Sequence, residues 1–264
     1  MLLSIAFPDI SPVAWQIGPV PIRWYALAYI AGITLGWWAL RAIGAARPAV
    51  LLRQDADDFM LWATLAIVLG GRLGYVLFYK PAYYFANPTH IYAVWEGGMS
   101  FHGGLIGMMV SIIAFARLRK LSILSLADRV ACVAPIGLFF GRLANFVNGE
   151  LYGRVTSLSW GVIFPGGGAY PRHPSQIYEA LLEGLALYCI MLALSRSEPL
   201  RARPGFLAGT FLIGYAAFRT LSELFREPDT HLGFIVGGVT MGQILSLPML
   251  LLGVVFVLRA SRHP

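Results

Sequence analysis

Seven stretches of this chain are apolar over the roughly 20 residues that an α-helix needs to cross a bilayer. They cover residues 22–42, 59–79, 97–116, 126–147, 176–195, 205–224 and 234–258, more than half of the 264 residues. Hydrocarbon offers the backbone no hydrogen-bond partner, so each such stretch must close its own bonds as a helix. Only 12% of the side chains are charged, against about 25% in a soluble domain. That excludes a disordered chain, which needs high charge and low hydrophobicity. It also excludes an ordinary water-soluble enzyme, whose surface these few polar residues could not cover. The expectation is an all-α polytopic membrane helix bundle of seven transmembrane helices, with residues 1–264 forming a single integral membrane domain.

Orientation follows from the basic residues, which collect in cytoplasmic loops. Arg41, Arg47 and Arg53 follow the first stretch. Arg117, Arg119 and Lys120 lie between the third and fourth, with Arg129 just inside the fourth, and Arg196, Arg201 and Arg203 follow the fifth. Arg259 and Arg262 end the chain. The opposite face holds Arg23, Lys80, Arg154, Arg172 and Arg226. This places the N-terminus outside and the C-terminus in the cytoplasm. It also accounts for the net charge of +7 without a nucleic-acid partner. The longer extracytoplasmic segments, 80–96 and 148–175, are rich in Gly, Pro and aromatics and read as compact loops. Trp15, Trp24, Tyr83, Tyr84, Trp95 and Trp160 suit the outer interface. No basic segment, apolar run and small-residue cleavage site marks a signal peptide, so the first stretch is expected to be retained. Cys132 and Cys189, both in apolar stretches, read as buried thiols.

A charge inside the membrane costs about 2.5–3.5 kcal/mol on insertion scales, so each one needs a partner, water or a task. On this topology Arg72, His102, Arg142, Glu150, Glu179, Glu183, Arg219 and Glu223 all fall toward the outer leaflet, with Arg23 and Tyr25 at its edge. The inner half reads as almost purely apolar. Tyr215, Arg219 and Glu223 recur at i, i+4 and i+8 and form one helical stripe. The stripe is either an intrahelical ion pair that eases insertion or an anion site with a carboxylate orienting the guanidinium. Arg142, Asn145 and Asn148 share a face beside a glycine-containing exit. Gly103, Gly104 and Gly107 suit close helix packing, while His102 among them is a candidate for proton transfer. Gly71-Arg72-Leu73-Gly74-Tyr75 is echoed by Gly141-Arg142-Leu143-Ala144-Asn145.

Three arginines at one depth, Arg72, Arg142 and Arg219, call for a phosphate or carboxylate ligand, and the depth points to a lipid head group. No metal-ligand spacing, nucleotide loop or serine elbow is present. The residues alone support an enzyme, or a carrier or binding protein, for an anionic phospholipid. A carrier calls for polar residues through the full membrane depth.

The segment Gly141-Arg142-Leu143-Ala144-Asn145-Phe146-Val147-Asn148-Gly149-Glu150-Leu151-Tyr152-Gly153 resembles the signature of the bacterial prolipoprotein diacylglyceryl transferases. So do Phe101-His102-Gly103-Gly104-Leu105-Ile106-Gly107, His173-Pro174-Ser175-Gln176-Ile177-Tyr178-Glu179, Arg226-Glu227-Pro228-Asp229 and Met241-Gly242-Gln243-Ile244-Leu245-Ser246. The resemblance implies transfer of the diacylglyceryl group of phosphatidylglycerol to the lipobox cysteine thiol of a prolipoprotein. A thioether forms and glycerol phosphate leaves, at the outer face of the bacterial cytoplasmic membrane. The implied partners are phosphatidylglycerol, the prolipoprotein signal peptide with its lipobox cysteine, and membrane lipids, with no cofactor and no metal. Arg142 and Arg219 would then bind the phosphate, and Glu223 and Tyr215 would orient Arg219. Asn145 and Glu150 would bind the head-group glycerol or shape the site. His102 is the candidate base, and Tyr25 and Gly153 match further positions of the family.

Overall fold

The structure, a computed structural model, describes residues 5–228, 233, 235 and 238–262. The long helices are α1 (Trp24–Ala45), α2 (Arg53–Phe78), α4 (Phe101–Leu118), α5 (Ile123–Val147), α6 (Ser175–Ser195), α8 (Phe206–Glu223) and α9 (Met241–Arg262). Short helices α3 (Pro81–Ala86) and α7 (Glu198–Arg201) lie in connections. Six long helices are apolar and long enough to cross a membrane; among the described residues α8 is not one of them. Its 18 residues carry Arg219 and Glu223, which lower its hydropathy. The expected start of the last stretch at Phe234 lies outside the described residues, and its helix begins at Met241.

The exterior is apolar. Trp38, Leu61, Phe78, Val110 and Leu251 are all more than half exposed, the reverse of a water-soluble surface. The core is centred on Leu40, Phe59, Phe115, Leu126, Cys132, Leu187, Met191 and Leu207. Helix α5 packs against α1, α4, α6 and α8, α2 pairs with α4, and α8 pairs with α9. Glycines set two of these contacts. A Cβ on Gly74 would lie 2.8 Å from the Gly103 Cα, and one on Gly209 would lie 2.7 Å from the Gly253 carbonyl. Close backbone approach is what small residues provide in a membrane bundle. The packing role expected for Gly103 and Gly107 is thus met on α2.

Strands qualify the all-α expectation. β1 (Ile5–Ala6) pairs in parallel with β4 (Val162–Ile163), and β2 (Val13–Ile17) forms a hairpin with β3 (Val20–Arg23) ahead of α1. Segment 80–96 contains α3 and two 3₁₀ turns. In segment 148–175, Arg172 is the organiser. It donates to the Gly167 and Gly153 carbonyls at 2.7 and 3.2 Å, pairs with Glu227 at 3.2 Å and stacks on Tyr152. Trp15, Trp95 and Trp160 are exposed as interface residues should be, but Tyr84 is buried and lies against Arg72.

Two other expectations are corrected. Cys132 is buried, but Cys189 is exposed; both thiols are free. The half of the bundle at the start of α5 is not purely apolar, because Asp128 and Arg129 are both 0% exposed there. Asp128 accepts from the Gly205 and Ala208 amides at 2.8 and 2.7 Å, capping the start of α8 where its dipole favours an anion. Arg129 donates to the Pro48 carbonyl at 2.9 Å.

Candidate functional site

Helix α6 supplies two carboxylates from one face, Glu179 and Glu183. Its middle, Ala180–Ala186, winds as a π-helix, a local geometry often found at functional positions. Three arginines from other elements converge on this pair. Arg142 of α5 places Nε 2.7 Å from Glu179 and Nη2 3.4 Å from Glu183. Arg219 of α8 places Nη1 3.3 Å from Glu179 and 3.6 Å from Glu183. Arg226, just past α8, reaches Glu179 at 3.4 Å. A third carboxylate, Glu223, pairs with Arg219 one turn away and lies 3.9 Å from Arg226. The stripe Tyr215–Arg219–Glu223 is thus both an intrahelical ion pair and part of a cluster spanning three helices.

Burial is uneven across the cluster, and that decides what it can do. The Glu179, Glu183 and Glu223 side chains are 1%, 0% and 4% exposed, whereas those of Arg142, Arg219 and Arg226 are 17%, 12% and 10% exposed. The carboxylates are closed off, and the exposure the cluster keeps belongs to the arginine side chains, so an approaching anion meets these first. Removing one member would leave a buried partner uncompensated, at a cost of about 3–5 kcal/mol.

A polar rim continues from α5. Asn145 donates to the Glu150 carboxylate at 2.8 Å and Asn148 does so at 3.4 Å. The Gln176 amide donates to the Glu150 carbonyl at 2.6 Å. Tyr25, at the start of α1, packs its ring at a tilt against Tyr29 and lies within hydrogen-bond reach of Asn145. Tyr215 stacks on Phe211 and faces Glu183, Arg219 and Arg142. Gly153 is buried where two backbones meet: its amide donates to the His173 carbonyl at 2.8 Å, and it bridges to Arg226. A Cβ there would lie 2.7 Å from that of His173. Arg154 donates to the Arg226 and Glu223 carbonyls at 2.9 and 3.1 Å. Burial, and then the Arg154 guanidinium, hold the His173 imidazole below its ordinary pKa. Gly242, opening α9, makes room for Glu223: a Cβ there would lie 2.7 Å from its carboxyl carbon.

Arg142, Asn145, Glu150, Gly153, Tyr215, Arg219, Glu223 and Tyr25 therefore lie in the cluster or its rim. His102 does not join them by any ion pair or hydrogen bond among the described residues. It is exposed on α4, in ring contact with Phe101. Arg72 also stands elsewhere. Its guanidinium donates to the carbonyls of Ile91 at 2.8 Å, His90 at 2.5 Å, Gly98 at 3.2 Å and Gly97, and it stacks on Tyr84. The third arginine of the cluster is Arg226 instead. Glu179 and Glu183 were not singled out as site residues from sequence. Their signal was two intramembrane carboxylates at i, i+4, which require cations from a facing helix. Among the described residues no group of three or more His, Cys, Asp or Glu side chains is arranged to hold a metal ion.

Below the cluster, along the same α5 and α6, runs an apolar groove of about 220 Å³. Phe139, Phe140, Leu185 and Tyr188 line it, with Leu35 and Trp38 from α1.

The chain matches the family described as prolipoprotein diacylglyceryl transferase over residues 12–259. It is 55% identical to the phosphatidylglycerol–prolipoprotein diacylglyceryl transferase of Paramagnetospirillum magneticum, over 100% of this chain and 98% of that protein. It is 54% identical to the enzyme of the same name from Rhodospirillum rubrum, over 99% and 96% of the two chains. Identity to that of Azospirillum brasilense is 52%, over 100% and 99%.

Proposed function

The chain belongs to the prolipoprotein diacylglyceryl transferase family, and on that premise we propose that its reaction takes place at the Arg142–Arg219–Arg226 edge. The protein is a multi-pass membrane enzyme that transfers the diacylglyceryl group of phosphatidylglycerol to prolipoproteins, the first step of lipoprotein maturation. The acceptor is the lipobox cysteine thiol. Sulfur attacks the glyceryl carbon that bears the phosphate, a thioether forms, the carbon–oxygen bond breaks, and glycerol phosphate leaves.

One observation carries the placement: three arginine side chains that keep some exposure converge on carboxylates that keep almost none. Arg142 and Arg219 hold the phosphate and stabilise charge as it develops on the leaving group, where fixed donors are worth most. Glu223 and Glu179 fix the two guanidiniums, and Tyr215 packs beside Arg219. Asn145, Glu150 and Tyr25 meet the head-group glycerol, while Gly153 lets the Arg226 segment close over it. The acyl chains lie along the α1–α5–α6 groove. A free cysteine has a pKa of about 8.5, so the thiol needs a base. His102, exposed and unengaged by hydrogen bonds among the described residues, is the candidate. Helix α8 serves as a seventh span, its polar residues covered by α5, α6 and α9. The N-terminus and the cluster face the extracytoplasmic side of the cytoplasmic membrane, where other membrane lipids surround the bundle, and the whole chain acts as one integral membrane domain.

The test is reconstitution. Purified protein in phosphatidylglycerol liposomes is mixed with a lipobox peptide, and the peptide is weighed by mass spectrometry. A gain of one diacylglyceryl group, absent with a Cys→Ser peptide, is the expected result. An unmodified peptide alongside flux of labelled lipid would favour a carrier instead.

A further inference from the structure

The two buried glutamates of α6 are not held alike. Glu179 is shared by guanidiniums from three places: Arg142 at 2.7 Å, Arg219 at 3.3 Å and Arg226 at 3.4 Å. Among the described residues Glu183 pairs with Arg142 and Arg219 alone, at 3.4 and 3.6 Å. Both glutamates are buried, and each leaves one carboxylate oxygen, Oε2 of Glu179 and Oε1 of Glu183, without a hydrogen bond among the described residues; they differ in the number and closeness of their ion pairs. The two cations of Glu183 are the ones assigned above to the donor phosphate, so this step rests on that reading. A phosphodiester brought to Arg142 and Arg219 adds a third anion to guanidiniums that already serve two. Like charges crowded at one buried site do not all stay ionised. The carboxylate with the longest contacts is the one that gives way.

We infer that Glu183 is an exchangeable counter-ion: it holds Arg142 and Arg219 while the site is empty and takes up one proton when the donor phosphate engages them. The proton comes from water on binding and returns to water when glycerol phosphate leaves. Glu183 then ionises, recaptures the two guanidiniums and speeds product release. It is a positioning residue, acting through the arginines. The charged and titratable groups that face it are Arg142 from α5, Arg219 and Tyr215 from α8, and Glu179 on its own helix. Glu179, held three ways, stays the fixed counter-ion.

The experiment measures association of a spin-labelled phosphatidylglycerol with the protein in phosphatidylcholine nanodiscs from pH 6 to 8.5, with no peptide present. The lipid phosphate does not titrate in this range. Wild-type affinity falls at least tenfold across it, because binding takes up a proton. Glu183→Gln, a standing mimic of the protonated side chain, binds with no pH slope and at least as tightly as wild type at pH 6. Glu183→Asp keeps the slope, and Glu179→Gln weakens binding at every pH. A wild-type affinity flat with pH, or a Glu183→Gln variant with the wild-type slope, overturns the inference. Peptide modification by the same preparations reports separately on the transferase reading. Unmodified peptide with a pH-dependent lipid affinity would sink that reading and leave the exchange standing.

Discussion

Arg72 and Arg142 sit in nearly the same short sequence, Gly-Arg-Leu followed by a small residue, late in two long helices. Their surroundings differ in kind. Arg72 is 2% exposed and donates through Nε, Nη1 and Nη2 to carbonyls of the 90–98 segment. Carbonyls in a folded loop cannot be exchanged for a ligand without unfolding it. Arg142 faces carboxylates and keeps an open edge, and one anion can replace another there. The same residue is a staple in one place and a binding group in the other. The difference lies in whether its acceptors are fixed dipoles or charges that can be matched by a substrate.

Substitutions can break this contrast. The largest effect is expected from Arg142→Ala or Arg219→Ala, with peptide modification falling by about 10²–10³-fold or more, the loss typical of removing a transition-state donor. Arg72→Ala acts on stability instead. The four carbonyls Arg72 serves lose their donor and the segment loses its staple, so the thermal midpoint drops and the 88–98 segment becomes open to protease. The protein that stays folded keeps its KM for phosphatidylglycerol. If Arg72→Ala raised KM tenfold in folded protein, the contrast would fail.

Two glycines sharpen it further. Gly153→Ala pushes against His173 and Phe225, an overpacking of about 1–3 kcal/mol. It shifts the Arg226 segment, so turnover is expected to fall about tenfold on the same energy scale. Gly103→Ala separates α2 from α4 at a similar cost. It lowers the melting temperature, while the Arg142–Arg219–Arg226 cluster, which lies on other helices, keeps its affinity for phosphatidylglycerol in the folded fraction. Steady-state rates and thermal unfolding of both variants check this. The smallest effect belongs to Leu35→Trp, at an exposed position that narrows the groove beside Trp38. A shift of a few fold toward shorter-chain phosphatidylglycerol is expected, since a methylene is worth about 0.8 kcal/mol on burial. An unchanged chain-length ratio would remove the groove from the account.

Much of this was legible in the residues because charge inside a membrane is expensive. Arg142, Arg219 and Glu223 announce themselves by sitting where a charge must have a use. The helix positions follow from apolar length, although α8 blurs because its site residues lower its own hydropathy. What could not be read is what each charge meets. The carbonyl cage around Arg72 has no sequence signature, so Arg72 looked like a third phosphate ligand and Arg226 looked like a loop residue. Glu179 and Glu183 become site residues only once α5 and α8 are known to face them. The Asp128 cap of α8 joins residues 77 and 80 positions apart, a pairing no local pattern encodes. Cys189 shows a simpler limit: an apolar stretch does not say which of its faces looks outward into lipid.

The most direct measurement is phosphatidylglycerol-dependent modification of a cysteine peptide by wild type, Arg142→Gln and Arg72→Gln, each reconstituted and normalised to folded protein. Arg142→Gln is expected to lose at least a hundredfold in kcat/KM, and Arg72→Gln to stay within a few fold of wild type. Equal losses in the two variants, or full turnover by Arg142→Gln, would contradict this expectation.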